Sequence, residues 1–170
     1  MIFEYLIVTL LGLTFGSFSN VLIKRLPLGL TIMTPSQCPR CNTNIKFYDN
    51  IPVLAYLLLK GQSRCCQKPI SVQYPLIEIL IALIAVTSFS YYGVTIATFT
   101  IFLLATSLVI LFMTDFKEYI IPNAITYPLA VIGLSLSVLE LNPLNTFVVD
   151  SLVGGIASGL LFFIISKAYF

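Results

Sequence analysis

The chain has 170 residues, of which 58% are hydrophobic and only 9% are charged, and its mean hydropathy is +1.00. An ordinary soluble domain carries roughly 25% charged residues, so this composition excludes a globular protein whose whole surface faces water. The formal net charge is +2, from nine basic and seven acidic residues. The composition indicates an integral membrane protein, for which we expect lipid contacts and no nucleic-acid partner.

Long stretches without charged residues predict where the chain crosses the membrane. A helix needs about 20 mostly apolar residues to span the hydrocarbon core. The charge-free stretches are residues 5–23, 79–114, 119–139 and 151–166. The second is too long for one crossing, and the small polar residues, tyrosines and glycine at 88–93 predict a turn within it. We therefore predict an all-α polytopic membrane protein with five transmembrane helices, at about 3–23, 74–91, 95–114, 124–140 and 147–167.

The first of these helices shares its hydrophobicity with a cleavable signal peptide. A signal peptide, however, carries its basic residues before the apolar segment. Here Lys24 and Arg25 follow that segment. We therefore expect a permanent transmembrane helix.

The basic residues predict the orientation of the chain. Seven of the nine lie between the first two helices, namely Lys24, Arg25, Arg40, Lys46, Lys60, Arg64 and Lys68. Because cytoplasmic loops are enriched in lysine and arginine, we expect this loop inside and the N-terminus outside. Counting crossings then places residues 88–93 outside and residues 115–123 inside, together with Lys117 and Lys167. Contact with anionic lipid is a further role open to the loop.

The predicted helices and loop divide the chain into three parts. Residues 1–23 form the first transmembrane helix. Residues 24–73 form a small cytoplasmic loop domain that contains the cysteines, and residues 74–170 form a membrane core of four helices.

All four cysteines, Cys38, Cys41, Cys65 and Cys66, lie in the predicted cytoplasmic loop. In a reducing cytoplasm such cysteines bind metal more often than they form structural disulfides. Four thiolates make a tetrahedral zinc site that can hold together a loop with little core. The second pair departs from Cys-x-x-Cys spacing, because Ser63 stands three residues before Cys66. Cys65 would then supply the fourth ligand, and a loop of ordinary reduced thiols is the alternative.

Five short motifs follow one another in the first half of the chain. They are Gly16-Ser-Phe-Ser-Asn20-Val, Arg25-Leu-Pro27, Cys38-Pro-Arg-Cys41, Asp49-Asn-Ile-Pro52 and Tyr74-Pro-Leu-Ile-Glu78. No single motif is specific, but five in this order on a membrane scaffold resemble the type IV prepilin leader peptidase family. The resemblance continues through Asp115 and Ile121-Pro122-Asn123 to the glycine-rich last helix, and so covers essentially the whole chain.

The resemblance implies an aspartic peptidase of the bacterial inner membrane. Enzymes of this family cleave the short basic leader from type IV prepilins and pseudopilins at the cytoplasmic face, and many N-methylate the new N-terminus with S-adenosylmethionine. The resemblance also implies that Asp115 is the first catalytic aspartate. Without it, Asp115 would be interpreted as an interfacial residue screened by Lys117. The chain shows no glycine-rich nucleotide loop, so a methyl-donor site rests on the resemblance alone.

The motif that carries the second catalytic carboxylate in this family is absent from the sequence. In the family this carboxylate belongs to a Gly-x-Gly-Asp motif, which these residues do not contain. The predicted topology places Glu140 and Asp150 outside, with Asp150 near the positive end of the last helix. Glu118 lies on the inner side, three residues from Asp115, although the nearby Pro122 makes a continuous helix there doubtful.

Asp49, in the cytoplasmic loop domain, could approach Asp115 only if the loop folded back. We therefore expect an incomplete part of a longer peptidase that does not cleave prepilins alone. One alternative is a shortened, non-catalytic relative that binds prepilins or pilus and secretion components. The other is a chain that keeps only a binding or methyl-transfer role.

Two pairs of glycines match the small-xxx-small pattern of closely packed helices. They are Gly12 with Gly16, and Gly155 with Gly159. We expect both pairs to mediate contacts within the chain, and dimerisation is the alternative.

Glu78 is predicted at the inner end of the second helix. It would lie either beside Asp115, where like-charge repulsion raises the pKa of Asp115, or next to a basic loop residue such as Lys68.

Overall fold

The computed structural model describes residues 2–38, 40–139, 141 and 147–169, without the side chains of residues 159, 161–163 and 165–169. Its helices are α1 (Ile2–Arg25), α2 (Leu54–Leu58), α3 (Gln73–Tyr92), α4 (Ile96–Glu118), α5 (Asn123–Val138) and α6 (Val148–Tyr169), with a 3₁₀ turn at Phe47–Asn50. The described part contains no β-strand, only two isolated bridges, Gln37 with Asn44 and Gln62 with Pro69. The all-α prediction is confirmed.

The five helices predicted from the sequence correspond to α1, α3, α4, α5 and α6. Their bounds agree with the prediction to within a few residues, and the predicted end of the fourth helix at residue 140 lies outside the described residues. Three of them, α1, α3 and α4, are long and apolar enough to cross a membrane, whereas α5 and residues 148–158 of α6 are apolar but shorter. The chain is a membrane protein, as its composition predicts.

The glycines of α1 allow that helix to lie directly against α3. An added Cβ at Gly12 would lie 2.6 Å from the Ala82 Cα, and one at Gly16 would lie 2.6 Å from the Glu78 Cα. Side-chain carbons do not approach backbone atoms this closely, so only glycine permits the contact. The prediction that this pair mediates packing within the chain is confirmed.

Helix α4 completes a three-helix bundle with α1 and α3. The rings of Phe15 and Phe102 pack edge to face, with their centroids 5.5 Å apart. At one end of the bundle the Lys117 ammonium group donates a hydrogen bond to the Gln73 side-chain oxygen. Because Gln73 begins α3, directly after the loop, the end of α4 that carries Asp115 lies at the same end of the bundle as the loop.

The chain divides into two compact units, residues 1–123 and 124–170. Within the second unit, the hydroxyls of Ser137 and Ser151 lie 3.0 Å apart and join α5 to α6. No atom of the described residues lies within 4 Å of an added Cβ at Gly155, and the surroundings of Gly159 lie outside the described side chains. The structure therefore assigns no packing contact to this second glycine pair.

Candidate active site and cysteine cluster

Two turns of matching geometry bring the cysteines together. In the first turn the Asn42 N–H donates to the Cys38 carbonyl at 2.9 Å, and in the second the Gln67 N–H donates to the Ser63 carbonyl at 2.7 Å. Asn42 and Gln67 both adopt the left-handed conformation, with φ of 55° and 53°. One isolated β-bridge closes each turn. Ser63 therefore occupies, in the second turn, the place that Cys38 occupies in the first.

By the same correspondence between the two turns, Cys66 occupies the place of Cys41, and Cys65 is an additional thiol. The four Sγ atoms all lie within 4.8 Å of one another. The Cys38 and Cys66 sulfurs are 3.8 Å apart, and those of Cys41 and Cys65 are 2.9 Å apart. The Ser63 Oγ lies 3.0 Å from the Cys65 sulfur. Cys65 thus supplies the fourth sulfur of the cluster, because the second turn has the hydroxyl of Ser63 where the first has the thiol of Cys38.

Hydrogen bonds give the metal-free thiols different pKa values. The Ser63 hydroxyl, with the backbone of Arg40, lowers the pKa of Cys38 to about 6. The contact with Cys65 lowers the pKa of Cys41, and the same contact raises the pKa of Cys65 to about 12. At neutral pH Cys38 is therefore a thiolate and Cys65 keeps its proton.

The donor set of this cluster fits a zinc ion. Four sulfurs at the usual zinc–sulfur distance of ~2.3 Å lie ~3.8 Å apart in a tetrahedron. The Cys38–Cys66 separation of 3.8 Å matches this value. The Cys41–Cys65 separation of 2.9 Å would have to widen by about 1 Å. Binding must also displace the proton of Cys65, because the thiolate is the ligand.

An ion pair ties the 3₁₀ turn to the second cysteine turn. The Arg64 Nη2 donates to the Asp49 Oδ1 at 2.8 Å and its Nε donates to the Oδ2 at 2.9 Å, a bidentate arrangement. The Asp49 side chain is only 10% exposed. Among the described residues Asp49 makes no hydrogen bond with Asp115. Asp49 thus stabilises the loop, a role that its sequence position does not reveal.

A buried carboxylate joins α3 to the loop. Glu78, which is 7% exposed, accepts a 2.7 Å hydrogen bond from the Val53 N–H. Val53 has a φ of 60°, which is strained for a β-branched residue. In the described part of the chain Glu78 pairs with neither Lys68 nor Asp115, the two neighbours considered from the sequence. It stabilises instead the strained backbone at the start of α2.

Asp115 is exposed in the last turn of α4. The helix continues to Glu118, so these two acids lie three residues apart on one helical turn, where side chains can meet. The helix ends at Tyr119, whose φ is 53° and whose N–H bonds to the Asp115 carbonyl at 2.9 Å. Pro122 lies beyond this left-handed residue and does not interrupt α4. The helix is therefore continuous from Asp115 to Glu118, which the nearby proline made doubtful in the sequence.

The remaining late acids belong to residues 124–170. Asp150 lies in the first turn of α6, where a carboxylate interacts favourably with the positive end of the helix dipole. Glu140 lies outside the described residues.

Comparisons with known proteins support one family. The Bacterial Peptidase A24 N-terminal domain matches residues 10–92, and the Type IV leader peptidase family matches residues 102–170. A prepilin leader peptidase/N-methyltransferase of Vibrio cholerae serotype O1 is 34% identical over 174 residues, which covers 96% of this chain and 68% of the relative. No solved structure matches.

Two other relatives bear the same name. The protein of Myxococcus xanthus is 40% identical over 75% of this chain and 38% of its own length. That of Klebsiella pneumoniae is 39% identical over 72% of this chain and 57% of its own length. The matches thus cover between 38% and 68% of the length of the three relatives. The chain belongs to the type IV prepilin leader peptidase family.

Proposed function

We propose that this chain takes part in prepilin leader cleavage, with Asp115 as one of two catalytic carboxylates. The observation that carries the proposal is the exposed position of Asp115 at the end of α4 next to the loop. A carboxylate at the end of an apolar helix is accessible to water and to a peptide arriving from that side. Membership of the leader peptidase family supports type IV prepilins or pseudopilins as the substrate.

The proposed chemistry divides between two acids. One carboxylate is ionised and activates a water molecule, while its protonated partner polarises the scissile carbonyl. Asp49 is already engaged by Arg64, and Glu78 by the Val53 N–H. The resemblance assigns the partner of Asp115 to a Gly-x-Gly-Asp motif, which residues 1–170 do not contain.

Prepilin processing in cells tests the assignment of Asp115. In cells whose only leader peptidase joins this chain to a Gly-x-Gly-Asp segment, we expect Asp115→Asn to abolish the mobility shift of the prepilin, because asparagine cannot ionise or exchange the shared proton. Asp150→Asn and Glu118→Gln are the matched controls, and both should leave processing intact. Normal processing by Asp115→Asn would overturn the proposal. Loss of processing in Glu118→Gln would instead assign the partner role to Glu118.

Methyl transfer is the second activity that we propose, with S-adenosylmethionine as the donor. The relatives are named leader peptidase/N-methyltransferases, and this name is the support for the proposal. Transfer of an isotope-labelled methyl group to the N-terminus of a cleaved pilin tests it. An unmethylated N-terminus in the presence of the donor would contradict it.

We also propose that Cys38, Cys41, Cys65 and Cys66 hold a structural zinc ion weakly. Support comes from the mutual distances of the four sulfurs. The zinc would fasten the two cysteine turns to each other, and the weakness follows from the protonated Cys65 and from the hydroxyl of Ser63. Metal analysis of the purified protein before and after mild chelation tests this. Stoichiometric zinc that resists chelators would contradict weak binding.

For the location we propose the bacterial inner membrane, with the loop on the cytoplasmic side and the N-terminus outside. The support is the concentration of basic residues in that loop. A cysteine introduced at Asn44, with the native thiols replaced, should not react with an impermeant reagent added to intact cells. Labelling from outside would contradict the proposed cytoplasmic location of the loop.

A further inference from the structure

A cavity of about 550 Å³ lies between the loop and the adjoining ends of α1 and α3. Its walls include Asn20 and Lys24 of α1, Tyr56 of α2, and Tyr74 and Glu78 of α3. A cavity of this size holds a small molecule or a headgroup. Because α1 and α3 are long enough to span the membrane, their ends lie at the depth of the lipid headgroups.

The wall of the cavity is strongly cationic. The basic residues that line it are Lys24, Arg25, Arg40, Lys46, Arg64 and Lys68. Six bases against two acids, Asp49 and Glu78, and the Cys38 thiolate leave a formal excess of three positive charges. A concave surface of one sign concentrates its potential and attracts ions of the opposite sign.

Two of these six bases are occupied by the protein itself. Arg64 pairs with Asp49, and Arg25 donates to four backbone carbonyls within residues 31–35. In the described part of the chain the other four form no ion pair with an acid. They are therefore available to an anion.

The cavity wall also contains an unsatisfied acceptor. Asn20 is 4% exposed, and its Nδ2 donates to the Tyr74 carbonyl at 3.1 Å. Its Oδ1 has no hydrogen-bond partner among the described residues. That oxygen is closed off from solvent, so the side chain would have to turn before a ligand in the cavity could donate to it.

Helix α2 separates the cavity from an exposed apolar surface. Ala55 and Tyr56 line the cavity, whereas Leu54, Leu57 and Leu58 do not and are 56%, 63% and 80% exposed. A soluble anion would neutralise the cavity but leave these leucines in water. An amphiphile with an anionic headgroup satisfies both surfaces.

We propose that this cavity binds the phosphodiester headgroup of an anionic membrane phospholipid, with its acyl chains against the leucines of α2. Phosphatidylglycerol has this chemistry. The available lysines would contact the phosphate. The inference depends only on the chain spanning a membrane and is independent of the proposed peptidase activity.

Binding of phosphatidylglycerol to the full protein tests this site. Protein in neutral detergent is titrated with the lipid, and the bound fraction is read by native mass spectrometry. We expect Lys46→Gln and Lys68→Gln each to weaken binding about fivefold, the effect of one basic residue near an anionic lipid surface. Lys60→Gln is the matched control, because Lys60 lies in the same loop but does not line the cavity. An equal loss in all three variants would show diffuse surface attraction and overturn the proposal.

A second comparison distinguishes a lipid from a free phosphate compound. Soluble glycerophosphoglycerol carries the same headgroup without acyl chains, so we expect it to compete poorly. We expect Leu57→Gln to weaken lipid binding and to leave the binding of the soluble headgroup unchanged. Equal affinity for both ligands, together with no effect of Leu57→Gln, would assign the cavity to a soluble phosphate and overturn the lipid assignment.

Discussion

Replacing Gly16 by alanine tests the contact on which the position of the loop depends. The added Cβ would lie 2.6 Å from the Glu78 Cα, whereas carbon atoms pack at about 3.5–4.0 Å, so the helices must separate by about 1 Å. Glu78 also accepts the hydrogen bond from the Val53 N–H. Displacement of α3 should therefore disturb both the bundle and the start of α2.

Two opposing effects set the magnitude for Gly16→Ala. Overpacking costs about 1–3 kcal/mol, and alanine is more favourable than glycine in a helix by about 0.8–1 kcal/mol. Gly133→Ala in α5 is the matched control. No atom of the described residues lies within 4 Å of its added Cβ, so this variant should show the helix gain alone. The difference between the two variants should then be about 1–3 kcal/mol, or a gap of about 2–12 °C in Tm for a chain of this size.

Thermal unfolding followed by circular dichroism in detergent micelles measures this gap. We expect Gly16→Ala to melt below Gly133→Ala, since only the first creates a clash. Equal melting temperatures would show that α1 and α3 do not approach as closely as the glycine contact requires, and would refute the reasoning.

Three other predictions concern the loop. Ser63→Cys should raise the zinc retained after chelation, because it restores Cys-x-x-Cys spacing in the second turn, and unchanged metal content would contradict the matching of the two turns. Zinc affinity should rise between pH 6 and 8, since binding displaces the proton that Cys65 holds with a pKa of about 12, and a flat profile in a chelator competition would contradict this. Glu78→Ala should cost about 1.5–3 kcal/mol and speed hydrogen exchange at the Val53 N–H, whereas Glu78→Gln, which keeps an acceptor oxygen, should have a smaller effect.

The membrane helices could be predicted because length and the absence of charge are sufficient signals for them. The same signals are uninformative inside the loop. Helix α2 has five residues, and in a chain that is 58% hydrophobic its leucines do not stand out from the background. Its start depends on a valine with positive φ, which no residue preference predicts.

The candidate site was predictable to different degrees. The position of Asp115 at the loop end of the bundle followed from counting helices, since each crossing reverses the chain direction. The cysteine spacing indicated a metal site. The contact between Cys41 and Cys65 could not be derived, because these residues are 24 apart in the chain and meet only through the way the two turns face each other. The bond between Glu78 and Val53 likewise joins residues 25 apart and needs the folded loop.

The cleavage rate of a prepilin by a purified protein that joins this chain to a Gly-x-Gly-Asp segment tests the central claim most directly. Residues that act as a catalytic unit lose nearly all activity when one is removed, so we predict that Asp115→Asn lowers the initial rate by at least about 10⁴-fold. Its melting temperature should stay that of the unmodified protein, because Asp115 is exposed. A folded Asp115→Asn protein that cleaves within about tenfold of the normal rate would contradict the role of Asp115 as a catalytic carboxylate.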